Sequence, residues 1–280
     1  MYPDLHTHTC LSDGALSPAQ LIERAIENDV KHLSITDHDT TAAYRELPDY
    51  SAHDLIITPG IELSTRWMKI GIHIIGLNID PDHETLLSGI EFQQRARKVR
   101  AKRIAERLEK CGIRDSLPHA VRNAGNGCIG RPHFAKFLVD HGHCKDFAAA
   151  FKKYLGSGKP GDVRDVWPPI EEVIGWIRAA GGIAVLAHPC RYKLTATKLR
   201  ELVRDFCDAG GEAIEVVSGS QRPEVTTQLA DLANSHGMSA SCGSDFHDPK
   251  HRWSDLGRFA PLPSSAKPVW EQWNHNLRSA

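Results

Sequence analysis

Short apolar runs alternate with longer amphipathic ones along most of the chain. The short runs predict strands at residues 2–5, "HLSIT" (32–36), "LIITPGIEL" (55–63), "IGIHIIGL" (70–77), "GIAVLAH" (182–188), "AIEVV" (213–217) and "SASCGSD" (239–245). Between several of them lie helix starts: Ser17 and Pro18 before "AQLIERAIEN", Pro168 and Pro169 before "IEEVIGWIRAAGG", and Thr195 before "LRELVRDFCDAGG", which closes on Gly210 and Gly211. Strand and helix in alternation predict an α/β fold, with seven strands in a single sheet or barrel.

One region breaks the rhythm. From residue 82 to 159 no strand pattern occurs, while "RARKVRAKRIAERLEKCG", "RPHFAKFLVDHG" and "DFAAAFKKYLGSGKPG" have helical spacing. The expected organisation is a first barrel part at 1–81, a helical insertion at 82–165 and a second barrel part with a tail at 166–280. The stretch "PLPSSAKP" (261–268) reads as a loop before that tail.

At 280 residues the chain is long enough for one large domain or two small ones. No run approaches the roughly 20 apolar residues of a membrane span, and neither a basic run nor an apolar stretch at the start points to a secretory signal, so a cytoplasmic location is expected. Seven cysteines without a Cys-x-x-Cys argue against a disulfide framework or a zinc finger. A net charge of −1 provides no global attraction to nucleic acid. The count that changes the picture is 16 histidines, the commonest metal-binding side chain.

Their placement is ordered. In "DLHTHTCLSDG" (4–14), His6 and His8 share one side of an extended chain, and Asp13 follows five residues after His8. "TDHD" carries His38 after the second strand, "GIE" carries Glu62, "IHIIG" carries His73, "AHP" carries His188 and "GSDFH" carries Asp245 and His247. Taken singly, each also fits a surface histidine, a turn or a capping acid. Together they recur at strand ends, the edge where parallel α/β barrels assemble active sites.

This ordered set resembles the polymerase-and-histidinol-phosphatase (PHP) family of metal-dependent phosphoesterases, relatives of the amidohydrolases. The resemblance implies a distorted seven-stranded βα barrel with a helical insertion. It implies nine ligand positions, all present: His6, His8, Asp13, His38, Glu62, His73, His188, Asp245 and His247. His6, His8, Glu62 and Asp245 would hold one ion, Glu62 would bridge to a second held by His73 and His188, and Asp13, His38 and His247 would hold a third. His38, Asp245 and His247, with Arg191, are the implied catalytic groups. Two or three divalent ions per subunit are expected. The all-nitrogen-and-oxygen donor set, without thiolate, fits manganese, iron or zinc alike, and manganese is the ion expected.

Phosphate also needs cations. The candidates are Arg131 and His133 in "GRPHFAKFLV", Lys159 in "GSGKPG" and Arg191 in "AHPCRY", three residues after His188. Over nearly the whole chain the motif order is similar to the bacterial subgroup of 3′,5′-nucleotide bisphosphate phosphatases and 5′-to-3′ exoribonucleases of the RNase AM (TrpH-like) type. The implied activity is removal of a 5′-phosphate, or a 5′-nucleotide, beside a recognised 3′-phosphate. The implied partner is a phosphorylated nucleotide or short RNA, with no membrane and no protein partner evident. Cys190 and Asp162 depart from the glycine and tyrosine usual in that subgroup, which puts the loop beside the ions and the nucleoside contact in question. The basic run 95–110, with eight Lys or Arg against two Glu, reads as a solvated face or as a surface for RNA. Alternatives are a histidinol-phosphate phosphatase, a non-catalytic metal-dependent binding module and, more weakly, an amidohydrolase acting on a C–N bond.

Overall fold

The computed structural model describes residues 3–49, 51, 53–250 and 254–273; Tyr2 of the first expected strand and the tail after 273 lie outside them. β1 (Pro3–Thr7), α1 (Pro18–Glu27), β2 (His32–Ile35), β3 (Ile56–Ile57), β4 (Gly60–Trp67) and β5 (Ile70–Leu77) come first. Helices α2 (Glu84–Glu109), α3 (Ser116–Ala124), α4 (Arg131–Asp140) and the single turn α5 (Phe147–Ala150) follow. Then come α6 (Ile170–Ala179), β6 (Ile183–Leu186), α7 (Ala196–Asp208), β7 (Ala213–Ser218), α8 (Pro223–Ser235) and β8 (Ser239–Gly243). The architecture is α/β. No helix among the described residues is long and apolar enough to cross a membrane.

The helix starts follow local chemistry. The Ser17 hydroxyl accepts from Gln20 N while the Gln20 side chain accepts from Ser17 N, a reciprocal cap, with Pro18 opening α1. Thr195 caps α7 in the same position.

The strands form two open sheets, β1-β2-β3 and β4-β5-β6-β7-β8, so the pairing does not by itself close the expected seven-stranded barrel. All pairs are parallel except that β5 runs antiparallel to β4 and β6. The predicted third strand is split: Pro59, which has no N–H to donate, separates β3 from β4, and β4 continues to Trp67 as one arm of a hairpin with β5. The sheets meet along two seams of isolated bridges. His8 N donates to Phe246 O (2.9 Å) and Asp245 N to His6 O (2.8 Å) at one; Asp39 N donates to Glu62 O (2.9 Å) and Glu62 N to Asp37 O (3.2 Å) at the other. Ladders stop there because the chain leaves the extended region: Asp39 and Asp245 adopt φ of 54° and 51°.

Alternation along the strands sorts the two faces. Ile72 and Ile74 of β5, with Ile61 and Leu63 of β4, pack outward into the cluster containing Val173 and Ile177 of α6. The opposite face of β5 carries His73, then Ile75 and Leu77, which join Leu5, Val185 and Ala213 in a separate apolar plug. His73 therefore stands above that plug. Between β5 and β6, α2 to α5 wrap their own apolar cluster, including Ile104, Leu108, Phe134, Phe137 and Leu138.

The β1–β8 seam is narrow. A methyl group at Gly243 would lie 2.4 Å from His6 Cβ and 2.6 Å from His6 N. Gly243→Ala is expected to destabilise the fold by about 1–3 kcal/mol, the cost of overpacking. Urea unfolding with unchanged stability would contradict this.

Candidate metal centre

Glu62 is the hub of the site. Its Oε1 lies 2.9 Å from His73 Nδ1 and 2.9 Å from His188 Nε2, while Oε2 lies 2.9 Å from His38 Nδ1, 3.4 Å from His6 Nε2 and 3.3 Å from His8 Nε2. Asp245 Oδ1 stands 3.3 Å from both His6 Nε2 and His8 Nε2. On the other side, Asp13 approaches His247 Nε2 at 3.3 Å and His38 Nε2 at 3.8 Å. Chain topology explains the convergence: the seams place the ends of β1, β2 and β8 beside β4, and the reversed direction of β5 brings His73 to the same side.

The turn carrying Asp13 is shaped from within. Asp37 accepts from Thr9 N (2.7 Å), Thr9 Oγ1 (2.5 Å) and Ser12 Oγ (2.6 Å). At Gly14 any Cβ would fall 2.3 Å from His8 O, so the turn closes only on glycine. Tyr192 Oη accepts from His73 N (3.0 Å) and donates to Ala187 O (2.7 Å), tying β5 to the segment that ends in His188.

Four of these atoms, His6 Nε2, His8 Nε2, Glu62 Oε2 and Asp245 Oδ1, have nitrogen–oxygen separations of 3.3–3.4 Å. Donors about 2.0–2.2 Å from one shared cation sit roughly that far apart. Further groups that can hold an ion are His38, Glu62 and His73; His6, Glu62 and His188; and His8, Asp13, His38 and His247. Seven buried atoms in the cluster find no hydrogen-bond partner among the described residues: His6 Nε2, both His8 ring nitrogens, Asp13 Oδ1, His38 Nδ1, Glu62 Oε2 and His188 Nδ1. Buried polar atoms without partners are costly, and divalent cations would satisfy these. The residues fit the ions.

Charge states agree with that fit. Burial opposes ionisation of Glu62, but the charges of His38 and His6 and the hydrogen bond from His188 outweigh it and hold the carboxyl well below its usual range. Asp245 and Asp13 are likewise held ionised against burial, by Arg191 and His6 and by His38 and His247 respectively. Burial lowers His8 to about 3 and His73 to about 4, leaving both rings neutral and able to donate lone pairs. His6 and His247 go the other way. Burial lowers each, but Glu215 and Asp245 raise His6, and Asp13 and Asp245 lift His247 to about 10.

Of the expected phosphate-binding residues, Arg191 reaches the cluster directly: Nη1 donates to Asp245 Oδ2, with the side chain 48% exposed. Arg131 opens α4, donates to Leu155 O (3.3 Å) and lies over the Phe151 ring. His133 Nδ1 accepts from Gly130 N (2.9 Å); burial lowers this ring's pKa, with Asp13 among the charges acting on it. Lys159 is exposed, and its side chain has no hydrogen bond or ion pair among the described residues. Asp162 pairs with Arg164 and accepts from Gly158 N (2.6 Å), folding the Lys159 loop. Cys190 is exposed beside Gln221.

Sequence reading missed Glu215. It is fully buried in β7, with Oε1 2.8 Å from His6 Nδ1 and Oε2 accepting from His188 N (2.5 Å). An acid in the middle of the apolar run "AIEVV" was the available signal. The basic run is a solvated face only in part: Arg95, Lys98, Lys102, Arg107 and Lys110 are exposed. Arg97 and Arg100 are buried, Arg103 pairs with Asp165 (2.6 Å), and Arg107 donates to Pro160 O and Asp162 O, so half of its eight cations hold neighbouring segments.

The PHP domain profile matches residues 4–105. The 5′-3′ exoribonuclease Rnm of Escherichia coli (strain K12) is 48% identical over 273 residues, covering 96% of this chain and 93% of that protein. The 3′,5′-nucleoside bisphosphate phosphatase of Chromobacterium violaceum is 41% identical over 271 residues, covering 96% and 95%. Among solved structures, an amidohydrolase from Chromobacterium violaceum with bound sulfate and no metal superposes with a TM-score of 0.89 at 40% identity, covering 97% of this chain and 95% of the other.

Proposed function

The chain belongs to the PHP-domain family of metal-dependent phosphoesterases, and from that premise we propose that it removes the 5′-phosphate of 3′,5′-nucleotide bisphosphates. The observation that carries the reading is Glu62, one buried carboxylate met by five histidines within 3.4 Å, with the partly exposed Arg191 beside the same cluster. The name of the 48% identical relative supports an extension to 5′-to-3′ removal of nucleotides from short 5′-phosphorylated RNA. Both reactions break a phosphate ester at a 5′ end.

His6, His8, Glu62 and Asp245 would hold one divalent ion, Glu62, His73 and His188 a second, and Asp13, His38 and His247 a third, with manganese the proposed ion and iron and zinc compatible with the same donors. When bound, such ions supply charge stabilisation to the phosphoryl group and acidify water. The protein's own contribution is positioning. Arg191 uses one N–H on Asp245 and retains others for a phosphoryl oxygen, while Arg131, His133 and Lys159 are assigned to the second phosphate. We count β3 and β4 as one strand interrupted at Pro59 and read the two sheets as the wall of a distorted seven-stranded barrel, capped by residues 82–165. The intact ligand set speaks against a non-catalytic binding module.

Phosphate release from adenosine 3′,5′-bisphosphate, 5′-AMP and histidinol phosphate, and mononucleotide release from a 5′-phosphorylated oligoribonucleotide, with manganese, iron, zinc or magnesium supplied in turn, test this. The bisphosphate is expected to exceed 5′-AMP by about 10²-fold in kcat/KM, roughly what one well-placed charged contact supplies. Preference for histidinol phosphate, or inactivity on both the bisphosphate and the oligonucleotide, overturns it.

A further inference from the structure

Arg97, in the basic run on α2, is only 5% exposed and extends its guanidinium in three directions. Nε donates to Asp39 Oδ2 (2.6 Å), Nη2 donates to Ser64 Oγ (3.2 Å), and Nη1 donates to Ile129 O (3.1 Å). Two of these contacts lie on the metal side. Asp39 follows His38, and its N donates to Glu62 O (2.9 Å); Ser64 lies two residues along β4 from Glu62, and its N donates to Asp39 Oδ1 (2.7 Å). Asp39 holds a left-handed backbone, φ 54°, and Gln94 of α2 donates to its carbonyl (2.9 Å). The third contact lies on the opposite side, since Ile129 immediately precedes Gly130 and Arg131, where α4 begins with Arg131 and His133.

We propose that Arg97 is a positioning residue that fixes the spacing between the His38–Glu62 cradle and the Arg131–His133 grip, and so sets selectivity for a substrate with two phosphates. The inference rests on the bisphosphate reading above. One planar guanidinium spans the three segments with fixed geometry, whereas a lysine ammonium offers a single point charge and reaches fewer of them at once. Its face lies over the Trp167 ring, 5.6 Å from the centroid, which limits its movement. A substrate bridging both sides needs their separation held closely, because displacement of about 1 Å can cost on the order of 10²-fold. A substrate with one phosphate does not.

The test compares adenosine 3′,5′-bisphosphate with p-nitrophenyl phosphate in manganese-loaded wild type, Arg97→Lys and Ser64→Ala, with metal content and melting temperature measured on each. Arg97→Lys is expected to keep its metal stoichiometry and change p-nitrophenyl phosphate turnover by no more than about 3-fold. Its preference for the bisphosphate should fall about 10-fold or more, mainly through KM. Ser64→Ala, which leaves the Asp39 pair in place, should lose about 3-fold of that preference and serves if Arg97→Lys does not fold. Parallel losses on both substrates, or an unchanged ratio in the folded variants, overturns the positioning role while leaving the bisphosphate reading standing. A wild type without preference for the bisphosphate overturns both.

Discussion

Glu62→Gln is expected to lower metal-dependent phosphate release by about 10³-fold or more, with a matching loss of bound metal. The carboxylate is nearly fully buried and has both oxygens committed, Oε1 toward His73 and His188 and Oε2 toward His6, His8 and His38. Glutamine preserves the volume but removes the charge and turns one oxygen into an N–H₂ donor facing imidazole lone pairs. Two of the three proposed ion positions lose their shared ligand at once. Elemental analysis and kcat/KM on the same preparation check this. A variant that is fully loaded and fully active would refute the assignment of Glu62 as the bridging ligand.

Glu215→Gln is expected to weaken metal binding by about 10–100-fold, the usual effect of losing a partner behind a ligand histidine. Glu215 accepts at both oxygens, from His188 N and at the His6 Nδ1 contact. That contact keeps the His6 proton on Nδ1 and leaves Nε2, the nitrogen facing Glu62 and Asp245, free to bind a cation. An amide cannot serve both. If its oxygen stays on His188 N, its N–H₂ meets His6 Nδ1 and drives the ring proton to Nε2; if it flips, the buried His188 N–H loses its acceptor, at about 1–3 kcal/mol. Metal titration by calorimetry, with melting temperatures of the metal-free proteins, separates the two orientations. Unchanged affinity together with unchanged melting would show that Glu215 does not orient His6.

Parts of the fold were legible because they depend on neighbours in the chain. The cap at Ser17, Pro18 and Gln20 starts α1 wherever α1 packs, and the run 70–77 corresponds to β5 residue for residue. Other parts were not. Helices α3 and α8 were not predicted; each carries a proline, Pro118 and Pro223, in its first turn, where the missing N–H has no partner to lose. β4 outran its predicted end because Ser64, Thr65 and Arg66 look polar in sequence. In the structure Ser64 and Thr65 find partners in Asp39 and Pro168 O, and Arg66 in Trp167 O.

The sequence alone determined the α/β order of elements, and its motif order, through the family it resembles, nominated the nine donors of the proposed site, since motifs are written locally along the chain. It could not assign Glu215, or divide the basic run 95–110 into buried ties and free cations. Those depend on which groups face each other across 209 residues, as His6 and Glu215 do, or 58, as Arg97 and Asp39 do. Only the tertiary structure decided them, because a buried charge is committed to whatever partner packing brings within hydrogen-bond reach. The same packing decided that the strands divide at two seams, where left-handed residues interrupt the ladders beside the histidine–carboxylate cluster.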